Sequence, residues 1–156
     1  MYKEREFNNN KRLQGFTLVE LLSVVLIIGI LASLSQTAYY SYVEKTNNAL
    51  IMAEMQGLQD KIDQFVIVHG SLPPDLSVFG SPVDPWGNPY QYTNFQTVNG
   101  NGQKRKDHSL VPINTDYDLF SMGPDGRSSP PLTARHSRDD IIRANNGAYL
   151  GVASDY

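Results

Sequence analysis

KRLQGFTLVELLSVVLIIGILASL, residues 11–34, decides how the rest of this chain is read. From Phe16 to Leu34 it contains a single charge, Glu20. A helix of that length, rising about 1.5 Å per residue, reaches across a hydrocarbon core of about 30 Å. Lys11 and Arg12 stand directly before it, with Lys3 and Arg5 further upstream and only Glu4 and Glu6 to offset them. Such a basic flank is expected to stay cytoplasmic, which puts the remainder on the far side of the membrane. Glu20 is the anomaly, because a carboxylate at the centre of a membrane helix costs roughly 2.5–3.5 kcal/mol on insertion scales and is kept for a task. A secretory signal peptide has a similar build, and the small residues between Ala32 and Ala38 offer it a cleavage site. Its apolar core, however, is usually only about 7–15 residues, and it has no use for an acid.

The composition of the chain as a whole is that of one ordinary domain: 156 residues, 40% hydrophobic, with nine Tyr and six Phe against a net charge of −3. There is no cysteine, which excludes disulfide staples, thiolate nucleophiles and cysteine-ligated zinc. The three histidines, His69, His108 and His136, are scattered. No Gly-x-Ser-x-Gly, P-loop, dinucleotide fingerprint or His-Glu-x-x-His occurs. The sequence therefore points away from an enzyme.

The octapeptide GFTLVELL, Gly15 to Leu22, resembles the class III signal of type IV pilins and type II secretion pseudopilins. The resemblance implies that a prepilin peptidase cuts between Gly15 and Phe16, removing a basic leader, residues 1–15, and that Phe16 becomes the methylated N-terminus. It also implies a partner for Glu20, since the family's acid at this place pairs with the N-terminal amine of a neighbouring subunit. Burying two opposite charges together costs far less than burying either alone. The plainer alternative has Glu20 reach the headgroup region and pair with nothing.

Beyond Leu34 the helical pattern continues. Tyr39, Tyr42, Val43, Leu50, Ala53, Leu58, Ile62, Phe65 and Val66 recur at spacings near three and four, with Glu44, Lys45, Glu54, Lys61 and Asp63 between them. One helix is expected from near Phe16 to His69, where His69 can stabilise the last carbonyls and Gly70 with SLPP supplies the stop. Ser35, Gln36 and Thr37 stand where many members of the resembled family have a kinking proline. The residues after HGSLPP are few, so a reduced or missing second helix is expected.

DPWGNPYQY, Asp84 to Tyr92, combines turn chemistry with the only tryptophan and then an aromatic strand candidate. It resembles the segment leading into the sheet of the major pseudopilin, and Trp86 is expected in the core. Two further strand candidates, Ser109–Ile113 and Tyr117–Met122, suggest an antiparallel sheet of about three strands with a turn near Asn99 to Gly102. Lys104, Arg105 and Lys106 are expected to form a solvated loop, and no nucleic acid is expected on so small a basic run.

The segment from Tyr117 to Gly147 is rich in oxygen donors, with Asp125, Asp139 and Asp140 flanked by Gly and Ser. That suits a hard cation. Asp-Gly is equally a plain turn, and Asp139 is equally a helix cap before IIRANNG. FSMGPDG and DDI resemble the two halves of the calcium loop of the major pseudopilin. The resemblance implies carboxylates from Asp125, Asp139 and Asp140 and main-chain oxygens from Met122, Arg127 and Ser137. In this chain SSPPLTARHSR lengthens the distance between the halves.

The resemblance implies an α+β fold: a long N-terminal helix, membrane-embedded in its first half, packed on a small antiparallel sheet with a C-terminal loop region, the pilin-like lollipop. Residues 16–37 would be the transmembrane and filament-core helix, 38–70 its amphipathic continuation and 71–156 a periplasmic β domain with a calcium-type loop. The implied function is that of a structural subunit of a type II secretion pseudopilus, held in the bacterial inner membrane and assembled into a homopolymer. Its partners would be minor pseudopilins, prepilin peptidase and the inner-membrane assembly platform with its ATPase. The alternative is a type IV pilin-like or DNA-uptake pilus subunit. The C-terminal GAYLGVASDY has no role assigned.

Overall fold

Helix α1, Leu18–His69, runs for 52 residues. It is seen in a computed structural model that describes residues 15–156 and divides into two compact units, one ending at Ser41 and one from Tyr42 to Tyr156. The leader expected at residues 1–15 lies, save for Gly15, outside the described residues. Thr17 starts the helix: its hydroxyl accepts from the Glu20 N–H at 3.2 Å and its carbonyl from the Leu21 N–H. In the first unit the hydroxyls of Ser23, Ser33 and Ser35 bond back to carbonyls three or four residues earlier, so these three donors are satisfied within the apolar stretch. The helix passes through Ser35 to Thr37 without a break.

Gly70, at φ +74°, ends the helix as expected, with its N–H on the Val66 carbonyl at 2.8 Å and Pro73 and Pro74 beyond. The His69 ring lies 3.0 Å from the Phe65 carbonyl. Where a second helix was expected to be reduced there is one 3₁₀ turn, Leu76–Phe79, capped by Asp75 and closed by Gly80 at φ +90°.

Four strands follow: β1 (Gln91–Asn94), β2 (Tyr117–Ser121), β3 (Ile141–Ala144) and β4 (Tyr149–Val152), paired antiparallel in that order. The register aligns Gln91, Phe120, Ile142 and Gly151 across the sheet. Alternation sends Tyr117, Leu119 and Ile141 toward Ile51, Met55, Leu58 and Ile62 of α1, with Leu76 and Tyr90 and the flank of Trp86 completing that core. The opposite face of the sheet, with Phe120, Ile142 and Ala144, packs on Ile113, Leu132 and Ala153.

Three expectations are corrected. The buried stripe of α1 uses Ile51 and Met55, whereas Leu50 and Ala53 face outward. Both phases satisfy a three-and-four spacing, and contact with the sheet chooses between them. Ser109–Ile113 is a tight loop: Asp107 accepts from the N–H groups of Ser109 and Val111, and Leu110 takes φ +61°. The third and fourth strands come from IIRA pairing with the C-terminal YLGV, so IIRA is extended, NNG makes a 3₁₀ turn, and Asp139 caps no helix.

Candidate functional site

Two places concentrate chemistry. At the N-terminal end Gly15 and Phe16 precede the helix, and Phe16 is 75% exposed, so the peptide bond between them is reachable. Glu20 sits one turn further on, and every large apolar residue from Leu18 to Leu34 around it is exposed. Among the described residues α1 is the one helix long and apolar enough to cross a membrane.

The second place is the loop between β2 and β3. Gly123 turns the chain at φ +66°, and a Cβ there would stand 2.6 Å from the Asp139 carbonyl, so only glycine lets the two halves of the loop meet. The loop is braced from DPWGN. The Asp84 carboxylate accepts from the N–H groups of Trp86 and Asn88 and, at 2.6 Å, from the Ser121 hydroxyl, while the Asn88 amide donates to the Gly123 carbonyl at 3.0 Å. Turn chemistry alone had suggested nothing of this bracing, because the partners lie 35 and 37 residues away.

Of the expected carboxylates, Asp125 and Asp139 face one open depression of about 610 Å³, shared with Arg127, Arg135 and His136. The His136 ring is 3.5 Å from Asp125. Desolvation raises the Asp139 carboxyl, and the charge of Asp125 adds to the rise. Asp140 stands apart, fully buried; its Oδ2 accepts from the Arg105 guanidinium and from the Ser128 hydroxyl at 2.6 Å. Burial outweighs those partners and pushes its carboxyl up to about 6. Its Oδ1 is buried with no partner among the described residues. The Ser137 side chain is committed elsewhere, accepting from the Ser129 N–H and donating to the Ser129 carbonyl.

Arg105 corrects the solvated-loop expectation for Lys104–Lys106. It is only 3% exposed and lies 4.3 Å over the Phe120 ring, and burial lowers its guanidinium pKa. Its charge was legible in the sequence; its burial depended on an acid 35 residues away. Among the described residues no three His, Asp or Glu side chains already converge as a metal cluster. The donor set still fits a hard cation. It is all oxygen apart from His136, two of its carboxylates repel, and the third keeps an unpaired buried oxygen. Arg105 answers Asp140, while Arg127 and Arg135 are exposed and line the same depression as Asp125 and Asp139.

Residues 10–35 match the family described as the prokaryotic N-terminal methylation motif. The chain is similar to type II secretion system core protein G of Pseudomonas aeruginosa, 26% identical over 137 residues that cover 72% of this chain and 84% of that protein. It is similar to the protein of the same name from Klebsiella pneumoniae, 27% identical over 154 residues covering 84% and 94%. A shorter likeness, 35% over 69 residues, joins it to type IV major pilin protein PilE of Neisseria gonorrhoeae, covering 43% of this chain and 40% of that one. No solved structure matches. A methylation motif set on an exposed apolar helix, followed by likeness to core protein G through most of both chains, supports reading this chain as a pseudopilin of the G type.

Proposed function

We propose that the chain is a structural subunit of a type II secretion pseudopilus. It is made as a single-pass inner-membrane precursor with its N-terminus in the cytoplasm and cut between Gly15 and Phe16. After methylation at Phe16 it polymerises into a periplasmic filament that promotes export of folded proteins. The observation that carries this reading is Glu20, the one charge in the apolar stretch from Phe16 to Leu34, whose large side chains are all exposed. In lipid that carboxylate has no counter-charge; in a polymer the amine at Phe16 of an adjacent copy supplies one. Assembly exchanges lipid contact for helix contact, so extraction calls for the inner-membrane platform and its ATPase, with minor pseudopilins as further partners. The role is mechanical, and no catalytic step is assigned to any side chain.

Calcium is the cation this reading gives the loop. Asp125, Asp139, Oδ1 of Asp140 and the main-chain carbonyls of Met122 and Arg127 would hold it, with the Ser137 carbonyl as a further candidate. When bound it supplies counter-charge to a loop that buries few apolar side chains and has no disulfide.

Intact mass and N-terminal sequencing of membrane-extracted protein test the processing step. A methylated Phe16 start is expected, and a start after Ala38 would overturn it. Glu20→Ala is expected to leave the membrane level unchanged and abolish filaments; normal filaments from that variant would remove the ion pair from the account.

A further inference from the structure

A carboxylate as deeply buried as Asp140 needs a counter-charge whether or not an ion is bound. Arg105 provides one through a fixed fork. Nη2 donates to Asp140, and Nη1 donates to the Ser128 hydroxyl and, at 2.6 Å, to the Ser129 carbonyl. The backbone holds the arginine in place: its N–H donates to Asp118 at 2.6 Å, and the neighbouring Lys106 exchanges main-chain bonds with Pro130 and Leu132. One guanidinium thus joins the 104–106 segment, the long insert after Gly126 and the start of β3. It occupies Oδ2 of Asp140 and leaves Oδ1 free.

We propose that Arg105 is a built-in counter-cation and positioning residue for this loop, closing residues 123–140 around Asp140 before any divalent ion binds. An ion then answers only the charge that Asp125, Asp139 and the free oxygen of Asp140 leave over. Without the guanidinium, closure of the loop falls to the ion. The ion half of this inference rests on the calcium reading above; the counter-cation half does not.

The test compares full-length wild type, Arg105→Met and Arg105→Lys in detergent micelles, in chelator and in calcium chloride, by thermal melting and by amide hydrogen exchange across 123–140. In chelator R105M is expected to melt about 10 °C or more below wild type, with faster exchange in the loop, because one partner of a buried pair has been removed. R105K, which keeps the charge and loses the planar fork, should fall between them. Calcium should then raise R105M by more degrees than it raises wild type. The inference is overturned if R105M melts within about 2 °C of wild type in chelator with unchanged exchange, or if calcium raises both by the same non-zero amount. A wild type unmoved by calcium beside a destabilised R105M sinks the calcium reading and leaves the counter-cation standing. Should R105M fold under neither condition, R105K decides: partial stability with a larger calcium gain than wild type supports the inference, and no rescue by the lysine charge overturns it.

Discussion

Gly123 shows how a single residue fixes the loop. At φ +66° an alanine would be strained, and its methyl would stand 2.6 Å from the Asp139 carbonyl. Gly123→Ala is expected to cost about 2 kcal/mol or more, read as a lowered melting temperature, because left-handed strain and a backbone clash add. Arg143 and Asp116 make a second residue-scale case. Arg143 lies 3.9 Å over the Tyr117 ring and grips Asp116 through two bonds of 2.8 and 2.7 Å. Burial pushes the Asp116 carboxyl up, but those bonds and the Tyr117 N–H pull harder and hold it below the ordinary carboxylate range. A depressed carboxylate stabilises the fold above its unfolded pKa of about 3.9, and that contribution is lost as the pH falls through the folded value. Melting between pH 5 and pH 2, values chosen to bracket that range, should therefore decline less steeply for Asp116→Asn than for wild type.

Among the elements, α1 separates two kinds of isoleucine. Ile62 is fully buried against the sheet, while Ile67, one turn on, is 84% exposed. Ile62→Ala is expected to cost roughly 2–5 kcal/mol of domain stability, whereas Ile67→Ala should stay within about 0.5 kcal/mol of wild type in the same denaturant titration. The helix itself was legible: an apolar run, a continuing three-and-four pattern and a Gly70 stop follow one another along the chain. The phase of its buried stripe was not, because Leu50 and Ile51 have the same chemistry and differ only in which of them meets the sheet. β3 and β4 were missed for a related reason. IIRA carries an arginine and YLGV a glycine, and both are strands because each offers the other a partner in register.

For the whole molecule, the two units carry separate predictions. In the domain from Tyr42, calcium at a hundredfold excess over its Kd is expected to add about 2.7 kcal/mol to stability, read as a rise in melting temperature that chelator reverses. No rise would remove the metal from the account while leaving the proposed role of the N-terminal segment untouched. In the proposed filament Phe16 and Glu20 act in assembly, so loss of either should affect filament formation and leave the melting of the domain unchanged.

What the sequence determined by itself was everything written in neighbouring residues: the apolar span with its solitary acid, the methylation motif around Gly15 and Phe16, the end of the helix and the acidic loop residues. Only the tertiary structure decided that Arg105 belongs inside, opposite Asp140, and that Asp84 and Asn88 brace Gly123. The physical reason is distance along the chain. Helix periodicity and membrane length are local properties, whereas a buried charge takes its meaning from a partner brought to it by the packing of the sheet.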